Sequence, residues 1–459
     1  MQILYNLKLI DIVSPRVQSG RAILVNDDRI QDVLSEHDIP WSRFGTNEAF
    51  DLNQQYVIPG LIDNHVHVLG AFVRDITLST LPGVFRQIKK NLRACIASGV
   101  TTIRDMGGIP RQIQAFRKKV ERHQIPGPRI VCCNSMITCP GGYPEFIPHL
   151  AGLKRLMLGG QVVERVKTPE ETRATVRHMV KLGADWIKTT HSSESALIGR
   201  ATLPCLSSEC YKALVDEAHR LGRPVAIHHD SIYGFSKAVE IGSDSLEHVS
   251  GNGMLSEDDI KMFVDKGLAI IPTLKGLGDY LILKDIAKWL ENTREDYLEE
   301  IAVVGLSGLL GHYTENRDDG KTYLKGICVD IKRFQSMYPQ ALANVHRIRE
   351  AGGTIGVGTD SGGTEFGLFG MVWLELEHLV RAGMSELEAL QAATKTNAKI
   401  LGKQSSLGTI EAGKYADLVI LGANPLDNIR HIQDVRMVWK DGRLVFRRSP
   451  ADGQSTVAT

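Results

Sequence analysis

Between residues 57 and 402 short apolar runs alternate with amphipathic helical stretches, and this alternation limits the fold more than any other feature of the chain. The runs fall at 57–67, 100–105, 129–134, 185–190, 224–229, 243–249, 268–274 and 354–360. Helical patterns separate them, for example at 84–98, 169–182, 207–221 and 339–351. Repeated strand-then-helix units are the signature of a parallel sheet. The pattern predicts an α/β fold, a (β/α)8 TIM barrel over residues 57–403, with its active site at the C-terminal strand ends. Ser207-Ser208-Glu209-Cys210 has the form of a helix start, and Gly222 that of the cap closing the same helix.

The flanks differ. Residues 1–56 and 404–459 show strand-like alternation broken by Gly, Asn and Asp. Neither is long enough to build a comfortable core alone. We expect the two ends to combine into one small β-sandwich outside the barrel. The connection from 275 to 339 is longer than the others and rich in charge and aromatics, which fits solvated helices covering the barrel, a lid or an oligomer contact.

Five of the strand-like runs end in groups able to bind a metal. The first closes with His65-Val66-His67, and residues two apart on a strand face the same way. Lys188, His228, His248 and Asp360 end four others. Singly each has a bland reading: a lysine after a strand is usually solvated, a strand-end histidine is usually structural, and Asp360 before Ser361-Gly362-Gly363 could start a turn. Together they lie where a barrel would bring them to one mouth. Arg104 and Asp105 follow the second run and read first as a salt bridge supporting the barrel, with a substrate contact as the second reading. His229 and Asp230 adjoin a candidate ligand, His191 lies just beyond Lys188, and Tyr143 follows the third run.

Charge argues against several functions. The formal net charge is +1, which gives no electrostatic case for nucleic acid or an anionic membrane. No run reaches the roughly 18–20 apolar residues of a membrane span, and the first 15 residues lack a basic-then-apolar leader. Seven cysteines without a CxxC pair suit reduced thiols, so a cytoplasmic location is expected.

With these residues in place, the chain resembles the amidohydrolase superfamily of metal-dependent hydrolases. The resemblance is greatest to the branch holding prolidase-like Xaa-Pro and Xaa-Arg dipeptidases, imidazolonepropionase relatives and the ochratoxin-hydrolysing amidase. It rests on PGLIDNHVH at 59–67, GVTTIRDMGG at 99–108, GADWIK at 183–188, PVAIH at 224–228, DSLEH at 244–248, GTDSGG at 358–363 and LGTIEAGKYADLV at 407–419. The resemblance implies two divalent metal ions, with zinc expected and manganese, cobalt or iron also suited to the ligands. It implies that Lys188 reacts with carbon dioxide to form a bridging carbamate, since a protonated lysine has no lone pair to offer. His65, His67, Lys188 and Asp360 would surround one ion; His228, His248 and the other oxygen of modified Lys188 would hold the second. Asp360 would relay a proton from a bridging hydroxide to the leaving nitrogen of an amide, carbamate or urea.

Two departures bear on substrate. The peptidase branch usually has a tyrosine two residues after the ligand histidine to hold a carboxylate, and here that position is Asp230. It often has Gly-Gly-His after the third strand, where this chain has Gly141-Gly142-Tyr143. We therefore expect a small, neutral or weakly polar substrate, with Tyr143, His229, Asp230 and Arg104 as candidate contacts and Trp186 as a further aromatic wall. A dipeptidase is the alternative. A mononuclear deaminase has no use for Lys188, and a non-catalytic relative would be expected to have lost ligands. A homo-oligomer is expected.

Overall fold

The computed structural model describes residues 1–14, 16–45, 48–70, 81–145, 147, 149–193, 202–278, 321–324, 327–363, 367–448 and 455–457. Four strands open the chain: β1 (Gln2–Asp11), β2 (Arg16–Asn26), β3 (Arg29–Ser35) and β4 (Ala49–Pro59). The first three form an antiparallel meander, and β4 returns parallel to β1.

At Gly60 the chain changes sheets. Gly60 donates its N–H to Asp417 O (2.8 Å), whereas Leu61 donates to Gly99 O (3.0 Å). The run at 57–67, expected as one strand, is thus two. Its first part completes β4 and its second is β5 (Leu61–Val66). Glycine is required by close approach, because a Cβ here would lie 2.1 Å from Thr101 Oγ1.

β5 runs parallel to β6 (Val100–Asp105), which pairs with β7 (Arg129–Cys132). A second parallel sheet contains β8 (Met136–Thr138), β9 (Val163–Arg165), β10 (Ile187–Thr190), β11 (Val225–His228), β12 (Ser245–Glu247) and β13 (Ala269–Ile271). After a hairpin of β14 (Lys321–Leu324) and β15 (Ile327–Asp330) comes its last member, β16 (Thr354–Ile355). The order is β16-β13-β12-β11-β10-β8-β9. The third expected strand corresponds to β7, and past Asn134, at φ 61°, a further strand follows as β8. The edge strand β9 was not foreseen.

Main-chain hydrogen bonds join the two parallel sheets on both sides. Asp185 N–H donates to Cys132 O (2.8 Å). On the other side Asn64 N–H donates to Val357 O (2.9 Å), Asp360 N–H to His65 O (2.8 Å) and His67 N–H to Ser361 O (2.7 Å). Helices follow the strands with conventional caps. The helix Ser208–Arg220 starts where Ser207 accepts the Cys210 N–H, and Gly222 turns the chain at φ 66°.

The chain then returns to the first sheet with β17 (Leu418–Leu421), β18 (Val435–Lys440), β19 (Arg443–Arg448) and β20 (Ser455–Val457). β17 pairs antiparallel with β4, so both chain ends share one sheet ordered β20-β19-β18-β17-β4-β1-β2-β3. Leu4, Leu7, Ile23, Val25, Val57, Leu418, Ile420 and Trp439 form a core of its own there. Among the described residues no helix is long and apolar enough to cross a membrane. The connection read as covering helices, a lid or an oligomer contact over 275–339 falls, for residues 279–320 and 325–326, outside the described residues.

Gly60→Ala should lower stability by about 1–3 kcal/mol, the usual penalty of overpacking. A urea midpoint checks this, and Thr101→Gly in the same chain should recover much of the loss by removing the clashing side chain.

Candidate metal centre

The parallel strands carry their polar groups to one end. His65 lies in β5 and His67 just after it; Lys188 is in β10; His228 ends β11; His248 follows β12; Asp360 lies beyond β16. Gly358 permits this approach, since a Cβ there would sit 2.6 Å from that of His65. The imidazoles form a chain, with centroids 5.4 Å apart for His67 and His65, 4.8 Å for His65 and His248, and 4.5 Å for His248 and His228. Asp360 Oδ1 is 3.5 Å from Nε2 of both His65 and His67. Ligand atoms of these three residues all lie within 4.8 Å of one another, the spacing of groups that can share one ion.

Hydrogen bonds fix which nitrogen faces inward. His65 Nδ1 donates to Glu247 Oε2 (2.7 Å), and His67 Nδ1 donates to Gly107 O (3.2 Å). A carboxylate and a carbonyl can only accept, so each ring carries its proton on Nδ1 and turns the Nε2 lone pair toward Asp360. His248 Nδ1 lies 2.7 Å from Thr273 Oγ1.

Burial shapes the protonation of the whole cluster. It holds His65, His228 and His248 well below the ordinary imidazole range and His67 at about 4, with the Lys188 charge adding to the effect. Neutral imidazole is the form that binds metal. Lys188 is only 1 % exposed, and its Nζ has no hydrogen-bond partner among the described residues. Burial brings its pKa down to about 8, with Glu247 pulling the other way. Burial also raises Asp360 to about 7, opposed by the charges of Lys188 and Lys275.

Three expected substrate contacts lie elsewhere. Arg104 has no exposure at all. It donates to Asn64 O (2.7 Å), Ser245 Oγ (3.1 Å) and Glu247 Oε1 (2.7 Å), so it supports the strands and does not face a substrate. His229, just past β11, is likewise fully buried, and its ring packs edge-on to Phe235. Trp186 lies beneath the Arg104 guanidinium at 4.4 Å, in a cluster with Ile62, Met106 and Ala226. Tyr143 does reach the centre, stacking on His228 at 4.3 Å with the planes 18° apart. Asp230 is partly buried and accepts the Ser192 hydroxyl. His191 bonds to the Tyr211 hydroxyl (3.1 Å).

Glu247 and Thr273 are the supports that the sequence reading passed over. The signal for Glu247 was present: a carboxylate inside a strand needs an opposite charge, and Arg104 is a cation in another such strand.

With this geometry in view, comparison with known proteins places the chain. The model of the amidohydrolase family matches residues 56–445. Ochratoxinase from Aspergillus niger is 26% identical over 449 residues, covering 92% of this chain and 82% of its own. Among solved structures, a Xaa-Pro dipeptidase with methionine bound in its active site superposes with a TM-score of 0.72 at 25% identity, covering 96% of this chain and 99% of that one. Phenylurea hydrolase B superposes with a TM-score of 0.68 at 20% identity over 96% of each chain. The chain belongs to the amidohydrolase family, with a fold of the TIM-barrel type. It is a metal-dependent hydrolase of amide-type carbon–nitrogen bonds.

Metal-free Lys188→Met should be more stable than the parent by about 1–3 kcal/mol, since a buried donor lacking a partner is removed. The sign with pH follows from the lowered pKa. Between about pH 8 and the ordinary lysine value of 10.5 the unfolded chain binds more protons, so parent stability rises there. The advantage of the variant should be largest below pH 8 and shrink above it, as chemical denaturation at several pH values would read.

Proposed function

We propose that the centre holds two divalent ions and hydrolyses a small substrate with an amide, carbamate or urea carbonyl. One observation carries the proposal: an amine buried without a hydrogen-bond partner among the described residues, beside imidazoles that burial keeps neutral. A lysine so placed is poorly suited to structure and well suited to reaction with carbon dioxide. The neutral amine attacks the carbon and releases a proton, leaving N-carboxylate with two acceptor oxygens in place of one nitrogen. His65, His67, Asp360 and the carbamate would hold one ion, and His228, His248 and the carbamate the other. The nitrogen and oxygen donors fit zinc, and equally manganese, cobalt or iron. When bound, the ions would supply an activated water and a Lewis acid for the carbonyl.

Asp360 would accept the proton from the attacking water and deliver it to the leaving nitrogen, a relay that a carboxyl near neutral pKa performs in both directions. Tyr143, stacked on His228, would lie against an apolar or aromatic group of the substrate. Asp230, beside the mouth, disfavours a free carboxylate on that side through like charge. The main-chain hydrogen bonds between 357–361 and β5 support a closed (β/α)8 barrel, and the shared end sheet supports a sandwich domain built from about 1–56 and 404–459 around a barrel of 57–403.

The similarity to a Xaa-Pro dipeptidase along nearly the whole chain favours one second reading, a dipeptidase. Paired substrates separate the two. An aryl amide or methyl ester of an N-acyl amino acid should have the higher kcat/KM; a clear preference for the free acid returns the enzyme to the dipeptidase class. Asp360→Asn should retain bound metal and lose about 100- to 10,000-fold in kcat. Near parental turnover in that variant would mean that another group moves the proton.

A further inference from the structure

We infer that Glu247 is a positioning residue for the first metal position, fixing the proton and the orientation of His65, and that Arg104 and Ser245 hold it in that role. The inference rests on the binuclear reading above and adds a difference between the two positions.

Glu247 is fully buried in β12. Its two oxygens are divided. Oε2 accepts from His65 Nδ1 (2.7 Å), while Oε1 accepts from Arg104 Nη2 (2.7 Å) and Ser245 Oγ (2.5 Å). With both oxygens engaged, the carboxylate is a hydrogen-bond acceptor and not a metal ligand. Arg104 is anchored in turn to Asn64 O at 2.7 Å, on the same strand as His65. The chain of contacts thus leaves β5 through the imidazole and returns to β5 through the guanidinium. Rotation of the ring about Cβ–Cγ would break the Nδ1 hydrogen bond inside a dry interior, where an unmade bond to a charged partner is costly. A buried charge pair balances itself, so it orients His65 without adding net charge beside the ions.

The second position has no such carboxylate among its described contacts. His248 Nδ1 meets the Thr273 hydroxyl, a neutral group. Loss of Glu247 should therefore weaken one position selectively, whereas general loosening of the fold would weaken both.

The test is a cobalt(II) titration of the full chain against a chelator, read by stoichiometry and by the visible spectrum of the bound ion. The parent should take two ions. Glu247→Gln should lose about 10- to 100-fold in affinity at one position, with the other unchanged and an altered spectrum for the weakened ion. Ser245→Ala, which keeps the carboxylate and removes one of its donors, should show a smaller loss at the same position and carries the test if Glu247→Gln does not fold. Unchanged affinities, or an equal loss at both positions, would overturn the role assigned to Glu247. A parent chain that takes only one ion would refute the binuclear reading instead, and a change in that ion's affinity in Glu247→Gln would still uphold the positioning role.

Discussion

Lys188 carries an amine into the interior, next to four imidazoles that must stay uncharged to be useful. Each of these groups would be better solvated in water, and the protein holds three of the imidazoles by satisfying their outer atoms. Glu247 and Gly107 take the Nδ1 protons of His65 and His67, and Thr273 meets Nδ1 of His248. The inner faces are left as lone pairs converging on one space. That division, outer atoms tied and inner atoms presented, is what metal chemistry needs from a scaffold.

Backbone conformation follows from the same demand. His248 and Asp360 adopt φ of 74° and 52°, and Thr273 adopts 47°. Left-handed backbone is unfavourable for residues with a Cβ, by about 1–3 kcal/mol at such sites, and it persists where surrounding structure overdetermines it. Here that structure is visible. Asp360 N–H is tied to His65 O, and His248 N–H to Ile271 O (2.8 Å). The turn aims each side chain back over the strand ends, so at these three positions the left-handed backbone serves the centre.

The succession of strands and the identity of the polar strand ends were legible because period-2 and period-3.6 patterns are local. The chain crossing at Gly60 was not, since it depends on Thr101 and Asp417, which are distant in sequence. Nor was β8, which begins past Asn134, the left-handed residue at which the third run ends. For the site, type and spacing marked His65, His67, Lys188, His228, His248 and Asp360. They did not show that His229, beside the ligand His228, is fully buried against Phe235. Arg104 could be read as a supporting salt bridge, but its partner Glu247, on a distant strand, could not be named from the sequence.

Metal content with and without bicarbonate tests the central claim most directly. Stripped protein reloaded with zinc in bicarbonate buffer should hold two ions per chain, with clearly less than two after reloading in carbon-dioxide-free buffer. Lys188→Ala should show no bicarbonate effect. Two tightly held ions in the carbon-dioxide-free parent, or in Lys188→Ala, would contradict the account, because the buried amine would then have no part in assembling the centre.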